Sequence, residues 1–353
     1  MSKRAILDLL EDELALVRPE FDARLGDADV RIDGRTYRFD AHILSEALRE
    51  LVALNAVVIR SHRTRGGNSV DVYLPAEQRR RATAIARQMG RKALLYRRFL
   101  ALAQTAGEAG ELVLRTSLQR AAAQGTPYLP MARRFGEVTD LLGQRPYGAF
   151  DSGAYLHSLG SSGVPQLPVA LPIEVKNRRL TLYPIHKEVH QLLAKAATIQ
   201  LAHPTYPVAP VLISRKAHAR LFWMAADLGF RVWATQRQYV LATRDIDERK
   251  IQELRTELGL VDLTVVDRGS PPRIEKFLVE SLPKQARKAA DDWAVYAETI
   301  APYAEELRKD VLTPQERQQL VDQLRDSVVE LHAQWGIDEP FTWAMSEDHL
   351  DEE

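Results

Sequence analysis

The sequence of 353 residues contains no cysteine, which removes disulfides and thiolate metal sites and makes a reducing compartment the expected setting. No apolar run approaches the length of about 20 residues that a membrane-spanning helix needs. Met1 to Val17 sets Lys3, Arg4, Asp8, Glu11, Asp12 and Glu13 among its leucines, unlike the uncharged core of a signal peptide, so a cytoplasmic location is expected. An excess of one charge is lacking too, because 48 basic residues balance 48 acidic ones. No internal repeat, low-complexity stretch, Walker motif or dinucleotide-binding glycine pattern occurs, and Gly160 to Gly163 lack the spacing of a nucleophile elbow. His186 and His190 share a helical face, but Glu188 is misplaced for either zincin pattern, which sets a zinc protease aside.

What is present is enough apolar sequence, 45% against 27% charged, to build packed cores, in a length that favours two or three domains. The charge is unevenly distributed. Between Arg60 and Arg98 there are eleven basic residues opposed only by Asp71 and Glu77, whereas Ile337 to Glu353 holds acidic residues and no Lys or Arg. The basic stretch points to a polyanion partner or, more plainly, to a solvated arginine-rich helix; the acidic end reads as a solvated or autoinhibitory tail.

Periodicity predicts a helix over 3–17, with Ile6, Leu7, Leu10, Leu14 and Val17 at helical spacing and Pro19 as its stop. A second helix is predicted over 41–55, with Asp40 as N-cap and Leu44, Leu48, Leu51 and Leu54 on one face. Val57 to Ser61 and Val70 to Leu74 flank a glycine turn and read as a hairpin. Helix followed by a basic hairpin resembles a winged helix-turn-helix domain over residues 1–80. Such a domain implies DNA contact by the wing, through Arg60, Arg63, Arg65 and Asn68, because the helix itself carries Glu46 and Glu50 against Arg49. A dimerisation or protein-docking module is the alternative.

Residues 81–104 read as a basic connecting helix. From 105 to 245 helices and strands alternate: a helix over 110–124, strands within 135–177, a helix over 185–201, a strand over 208–214, a helix over 216–228 and a strand pair within 231–242. That alternation predicts an α/β domain with a mixed sheet flanked by helices. From 246 to 353 the pattern is mostly helical, broken at Gly269 to Pro272, and reads as a C-terminal extension ending in the acidic tail.

The segment Ile173-Glu174-Val175-Lys176-Asn177 carries the chemistry. On a strand its alternation puts Glu174 and Lys176 on one face, about 6.6 Å apart along the chain, and sends Ile173 and Val175 to the other. A carboxylate and an ammonium so placed can converge on one scissile phosphate, and a hydrated divalent cation would compensate the buried charge. Glu248-Arg249-Lys250 repeats the spacing at a helix start without apolar alternation, so the strand context separates the two copies. The plainer reading of Glu174 and Lys176 is a surface ion pair worth at most about 1 kcal/mol.

Upstream, Phe150-Asp151-Ser152 places an aspartate on the preceding strand, and Glu111 opens a helix before it. Helix with Glu111, strand with Asp151, strand with Glu174 and Lys176, then helix with Gln191 resembles the PD-(D/E)xK nuclease superfamily. Within it the arrangement is most similar to Holliday-junction resolvases and Mrr-like restriction enzymes. The resemblance covers about 105–242 and implies a restriction-endonuclease-like fold and Mg²⁺-dependent (or Mn²⁺-dependent) cleavage of DNA.

It further implies that Asp151, Glu174 and the Val175 carbonyl hold the metal, that Lys176 orients the attacking water, and that Glu111 and Gln191 assist. Lys187 and Lys195 fall on the helical face of Gln191 and are expected at the nucleic acid. Phe150 replaces the proline of the motif, and a long insertion separates Asp151 from Glu174, which leaves Asp140 as a rival first aspartate. A homodimer, or a larger defence or recombination complex, is the further partner expected. The competing functions are a noncatalytic DNA-binding regulator and a nuclease subunit that docks on a larger enzyme.

Overall fold

In the computed structural model the described residues are 1–63, 69–76, 79–131, 137–159, 163–242, 247–267, 274–335 and 342–345. The chain divides into two compact units, Met1–Ala106 with Tyr239–Val265, and Gly107–Gln238 with Val266–Glu353.

The first unit opens with α1 (Ser2–Glu13), which buries Ala5, Ile6 and Leu10. It ends earlier than the expected 17, because Leu14 takes a left-handed conformation and returns its N–H to the Leu10 carbonyl. The chain then runs extended as β1 (Leu16–Val17), and Pro19 starts the short helix α2 (Arg18–Phe21) rather than stopping α1. A first-turn proline needs no partner for the N–H it lacks. A hairpin that periodicity missed follows, β2 (Val30–Ile32) and β3 (Arg35–Tyr37), turning on Asp33 and Gly34 at φ 50° and 80°. Asp-Gly is the sequence signal for such a turn, and both its residues need positive φ.

Helix α3 (Ala41–Ala53) starts at Asp40 and buries Leu44, Ala47, Leu48 and Leu51, while Leu54 lies beyond its end and is 71% exposed. Strands β4 (Val57–Arg63) and β5 (Ser69–Pro75) pair antiparallel, and β1 joins the other edge of β5 to give the order β1-β5-β4. Helix α4 (Ala82–Ala103) buries Ala93, Leu95, Phe99 and Leu102 against this sheet. Part of the basic stretch is used internally. Lys92 is fully buried, 2.6 Å from Glu20 and 3.0 Å from Glu13, and it donates to the Glu257 carbonyl at 2.7 Å. Arg91 pairs with Glu257 at 2.8 Å and Arg98 with Glu253 at 3.0 Å.

The second unit is mixed α/β. After α5 (Ala106–Ala123) come β6 (Tyr128–Pro130), β7 (Ser152–Leu156), β8 (Val169–Leu182), α6 (Lys187–Ala202), β9 (Val211–Ala217), α7 (Ala219–Leu228) and β10 (Arg231–Ala234). The sheet order is β10-β9-β8-β7-β6. β6, β7 and β8 pair antiparallel, whereas β8, β9 and β10 run parallel through crossovers that contain α6 and α7. Parallel neighbours require such crossovers.

Strand β11 (Gln238–Leu241) does not pair with β10, so the strand pair expected within 231–242 belongs to two sheets. β11 joins β12 (Leu263–Val266), with α8 (Glu248–Glu257) between them in sequence. The Asp247 carboxylate caps α8 by accepting the Lys250 N–H at 2.9 Å, so the second Glu-x-Lys copy starts a helix and carries no strand geometry.

The expected extension over 246–353 is divided in the same way. Its first part returns to the first unit, and α9 (Leu282–Leu307), α10 (Pro314–Gln334) and α11 (Thr342–Met345) belong to the second. Trp293, Ile300, Ala304, Val321, Leu324 and Val328 share one core with α6 and the sheet. Helix α6 therefore lies between β8 and α9, and it is buried on most sides because both faces meet protein. The acidic tail lies outside the described residues except for 342–345.

Candidate active site

Strand β8 has 14 residues, and its first half is buried on both faces. Glu174 sits where that burial ends and is 2% exposed. A carboxylate there needs positive partners, since an isolated ion in low dielectric costs several kcal/mol. Lys176, on the same face by strand alternation, lies 2.6 Å from Glu174 Oε2. The register Ser152↔Ile173 brings Asp151 opposite Glu174. Asp151 Oδ2 accepts the Val175 N–H at 2.7 Å and lies 3.7 Å from Lys176 Nζ.

Burial, and next the Glu174 charge, push the Asp151 carboxyl up to about 7. Burial alone would raise Glu174 as well, but Lys176 and Lys195 outweigh it and hold that carboxyl below its usual range. Burial lowers Lys176, and Glu174 and Asp151 more than restore it.

Lys195, which helical spacing grouped with Lys187 and Gln191, is the second lysine on Glu174. It comes from α6, pairs with Glu174 Oε1, donates to the Ala149 carbonyl at 2.6 Å, and sits 4.9 Å from the centre of the Phe150 ring. Its side chain is 10% exposed. Helix α6 turns Lys195 inward onto the carboxylates. Lys187, two turns earlier, is partly exposed and pairs with Asp310, and Gln191 between them is partly buried.

Glu111 approaches from α5 closely enough for the Lys176 charge to act on its carboxyl. Helix α5 covers the opposite face of β8, where a Cβ on Gly110 would come within 2.7 Å of Asn177 Cβ and 3.0 Å of Val175 Cγ1. Glycine permits that close approach. Glu111 forms an ion pair with Arg115, and burial raises its carboxyl despite that partner. The rival Asp140 is exposed, accepts the Gly143 N–H at 3.2 Å and lies 3.7 Å from Arg145. It closes a turn.

No protein-family model, curated protein or solved structure matches this chain. The chemistry therefore rests on the donor set itself. Among the described residues no group of three or more His, Asp or Glu comes together to hold a metal. Two carboxylates still fit Mg²⁺, which keeps several waters and is often held by one or two carboxylates with substrate phosphates. Ser214 Oγ, in register with Lys176 on β9, is buried without a hydrogen-bond partner among the described residues, so a polar position beside the site is unfilled.

In the first unit Arg60 and Arg63 are exposed on β4, while Arg65 and Asn68 lie outside the described residues. No helix among the described residues is long and apolar enough to cross a membrane.

Proposed function

We propose that the chain is a metal-dependent nuclease of the PD-(D/E)xK type that hydrolyses DNA phosphodiester bonds. The observation that carries this reading is the convergence of Asp151, Glu174 and Lys176 from the start of β7 and the middle of β8. The order α5-β6-β7-β8-α6, with Glu111 on α5, Asp151 beside β7, Glu174 and Lys176 on β8 and Gln191 on α6, supports it. The hairpin β4-β5 that follows α3, with β1 on its edge, supports a winged-helix-like first unit that contacts DNA through Arg60 and Arg63. The setting proposed is cytoplasmic.

Asp151 and Glu174 would hold Mg²⁺ or Mn²⁺, which supplies charge for the attacking and leaving oxygens of an in-line displacement. Lys176, already bridging both carboxylates, is placed to steady the negative charge that gathers on the phosphate. Burial around Glu174 thins the water at the site and strengthens each of these interactions.

Glu174→Gln and Asp151→Asn are expected to abolish cleavage while Asp140→Asn keeps it, read from strand breaks in duplex DNA with Mg²⁺. Loss in Asp140→Asn with activity retained in Asp151→Asn would overturn the assignment. Glutamine is preferred to alanine at 174 because it keeps the side-chain volume and one acceptor, although either change removes the charge that pairs two buried ammonium groups, at a cost of about 3–5 kcal/mol. A second reading, a noncatalytic regulator or a subunit active only on a larger complex, is favoured by one observation: both Glu174 oxygens are taken by lysines.

A further inference from the structure

Glu174 has two carboxylate oxygens and an ammonium group on each, Lys176 on Oε2 and Lys195 on Oε1. A metal ligated by Asp151 and Glu174 competes with both ammonium groups for the charge of one buried carboxylate. Lys176 is tied to Asp151 as well and follows Glu174 on the same strand. Lys195 arrives from a different element and has partners of its own when it lets go. Its ammonium group already donates to the Ala149 carbonyl at 2.6 Å, and the face of Phe150 lies 4.9 Å away. A carbonyl and an aromatic face both suit a cation out of water.

We propose that Lys195 is a resident cation that a divalent metal displaces from Glu174, so that metal binding here is an exchange whose affinity Lys195 sets. The proposal rests on reading Asp151 and Glu174 as the metal ligands. In the metal-free site Lys195 neutralises Glu174 and keeps the carboxylate ordered. When the metal binds, its charge replaces that of the ammonium, and Lys195 stays on the Ala149 carbonyl beside Phe150. Lys195 is a positioning residue in this scheme.

The test needs no turnover. Mn²⁺ binding to the full chain, without DNA, is measured from the loss of the free-ion paramagnetic resonance signal for the native chain, Lys195→Met, Lys195→Arg and Glu174→Gln. Lys195→Met is expected to bind Mn²⁺ roughly tenfold or more tightly than the native chain, the gain from removing one competing charge-assisted hydrogen bond. Its melting temperature should fall in EDTA and rise with Mn²⁺ by more than that of the native chain. Lys195→Arg keeps the charge and should bind no more tightly than the native chain. Equal or weaker binding in Lys195→Met, tighter binding in Lys195→Arg, or a Lys195→Met chain that fails to fold even with Mn²⁺ overturns the exchange. Finite and equal affinities in the native chain and Lys195→Met would leave the metal site standing; no binding by either, with Glu174→Gln indistinguishable, would remove that site too.

Discussion

His190 sits inside α6 with Nε2 2.6 Å from the Pro184 carbonyl, and burial holds its pKa down to about 4 from 6.5. The folded chain keeps this imidazole neutral, whereas an unfolded chain takes up a proton near pH 6.5. The stability it contributes is complete above that pH and is lost as the pH falls toward 4, by about 3 kcal/mol at roughly 1.4 kcal/mol per unit. His190→Gln is expected to flatten this limb, and urea denaturation at pH 7 and pH 4.5 checks it; an unchanged pH dependence would show that His190 is not its source. The residues of the candidate site were unequally legible. Glu174 and Lys176 had to share a face once their segment was a strand, and Glu111 with Arg115 is a pair at helical spacing. Lys195 was visible as a helix-face residue, but which side of α6 meets the sheet is decided by tertiary packing. Counting it changes the electrostatics, since Asp151 and Glu174 face two cations, Lys176 and Lys195. The site does not repel phosphate as a bare carboxylate cluster would.

Two elements are seated by a single residue each. The last residue of α7 is followed by Gly229 at φ 78°, and a Cβ there would lie 2.1 Å from the Trp293 amide nitrogen on α9. Backbone cannot yield as a side-chain tip can, so Gly229→Ala is expected to destabilise the chain by more than Gly110→Ala, whose clash is with side chains. Thermal melts of the two variants check the order, and a milder Gly229→Ala would mean that α9 is free to shift. In the first unit, α4 is seated by Lys92, fully buried with Glu20. Lys92→Met should cost about 3–5 kcal/mol because it leaves the buried Glu20 charge with only the Val17 N–H at 2.9 Å and Arg24 at 3.6 Å, and adding Glu20→Leu should recover most of the loss. A double variant no more stable than Lys92→Met would contradict this. Helix positions were the most legible part of the fold because apolar spacing marks them. Helix ends were less so: Leu14 stops α1 by a left-handed turn that its residue type does not advertise. The pairing of β11 with β12 instead of β10 depends on contacts distant in sequence, which periodicity cannot encode.

At the scale of the whole chain, two units carry separable tasks in this account. Arg60 and Arg63 are exposed on the hairpin of the first, and replacing both with alanine should weaken DNA binding and reduce its salt dependence by about 0.9 per lost phosphate contact on a double-logarithmic plot. Titrations between low and moderate salt check this, and an unchanged slope would point to a docking role for the first unit. The sequence overstated the basic surface, because Lys92, Arg91 and Arg98 are engaged in internal ion pairs. It also suggested a helical C-terminal extension, whose α9 and α10 complete the core behind α6. The central claim is that Asp151, Glu174 and Lys176 cut DNA with a divalent metal. The most direct measurement is the conversion of supercoiled plasmid by the purified full chain in Mg²⁺, Mn²⁺ and EDTA, beside Lys176→Met in the same buffers. The account predicts nicked or linear DNA with either metal, none in EDTA, and none from Lys176→Met. Intact plasmid in every buffer, with DNA nonetheless bound, would contradict it.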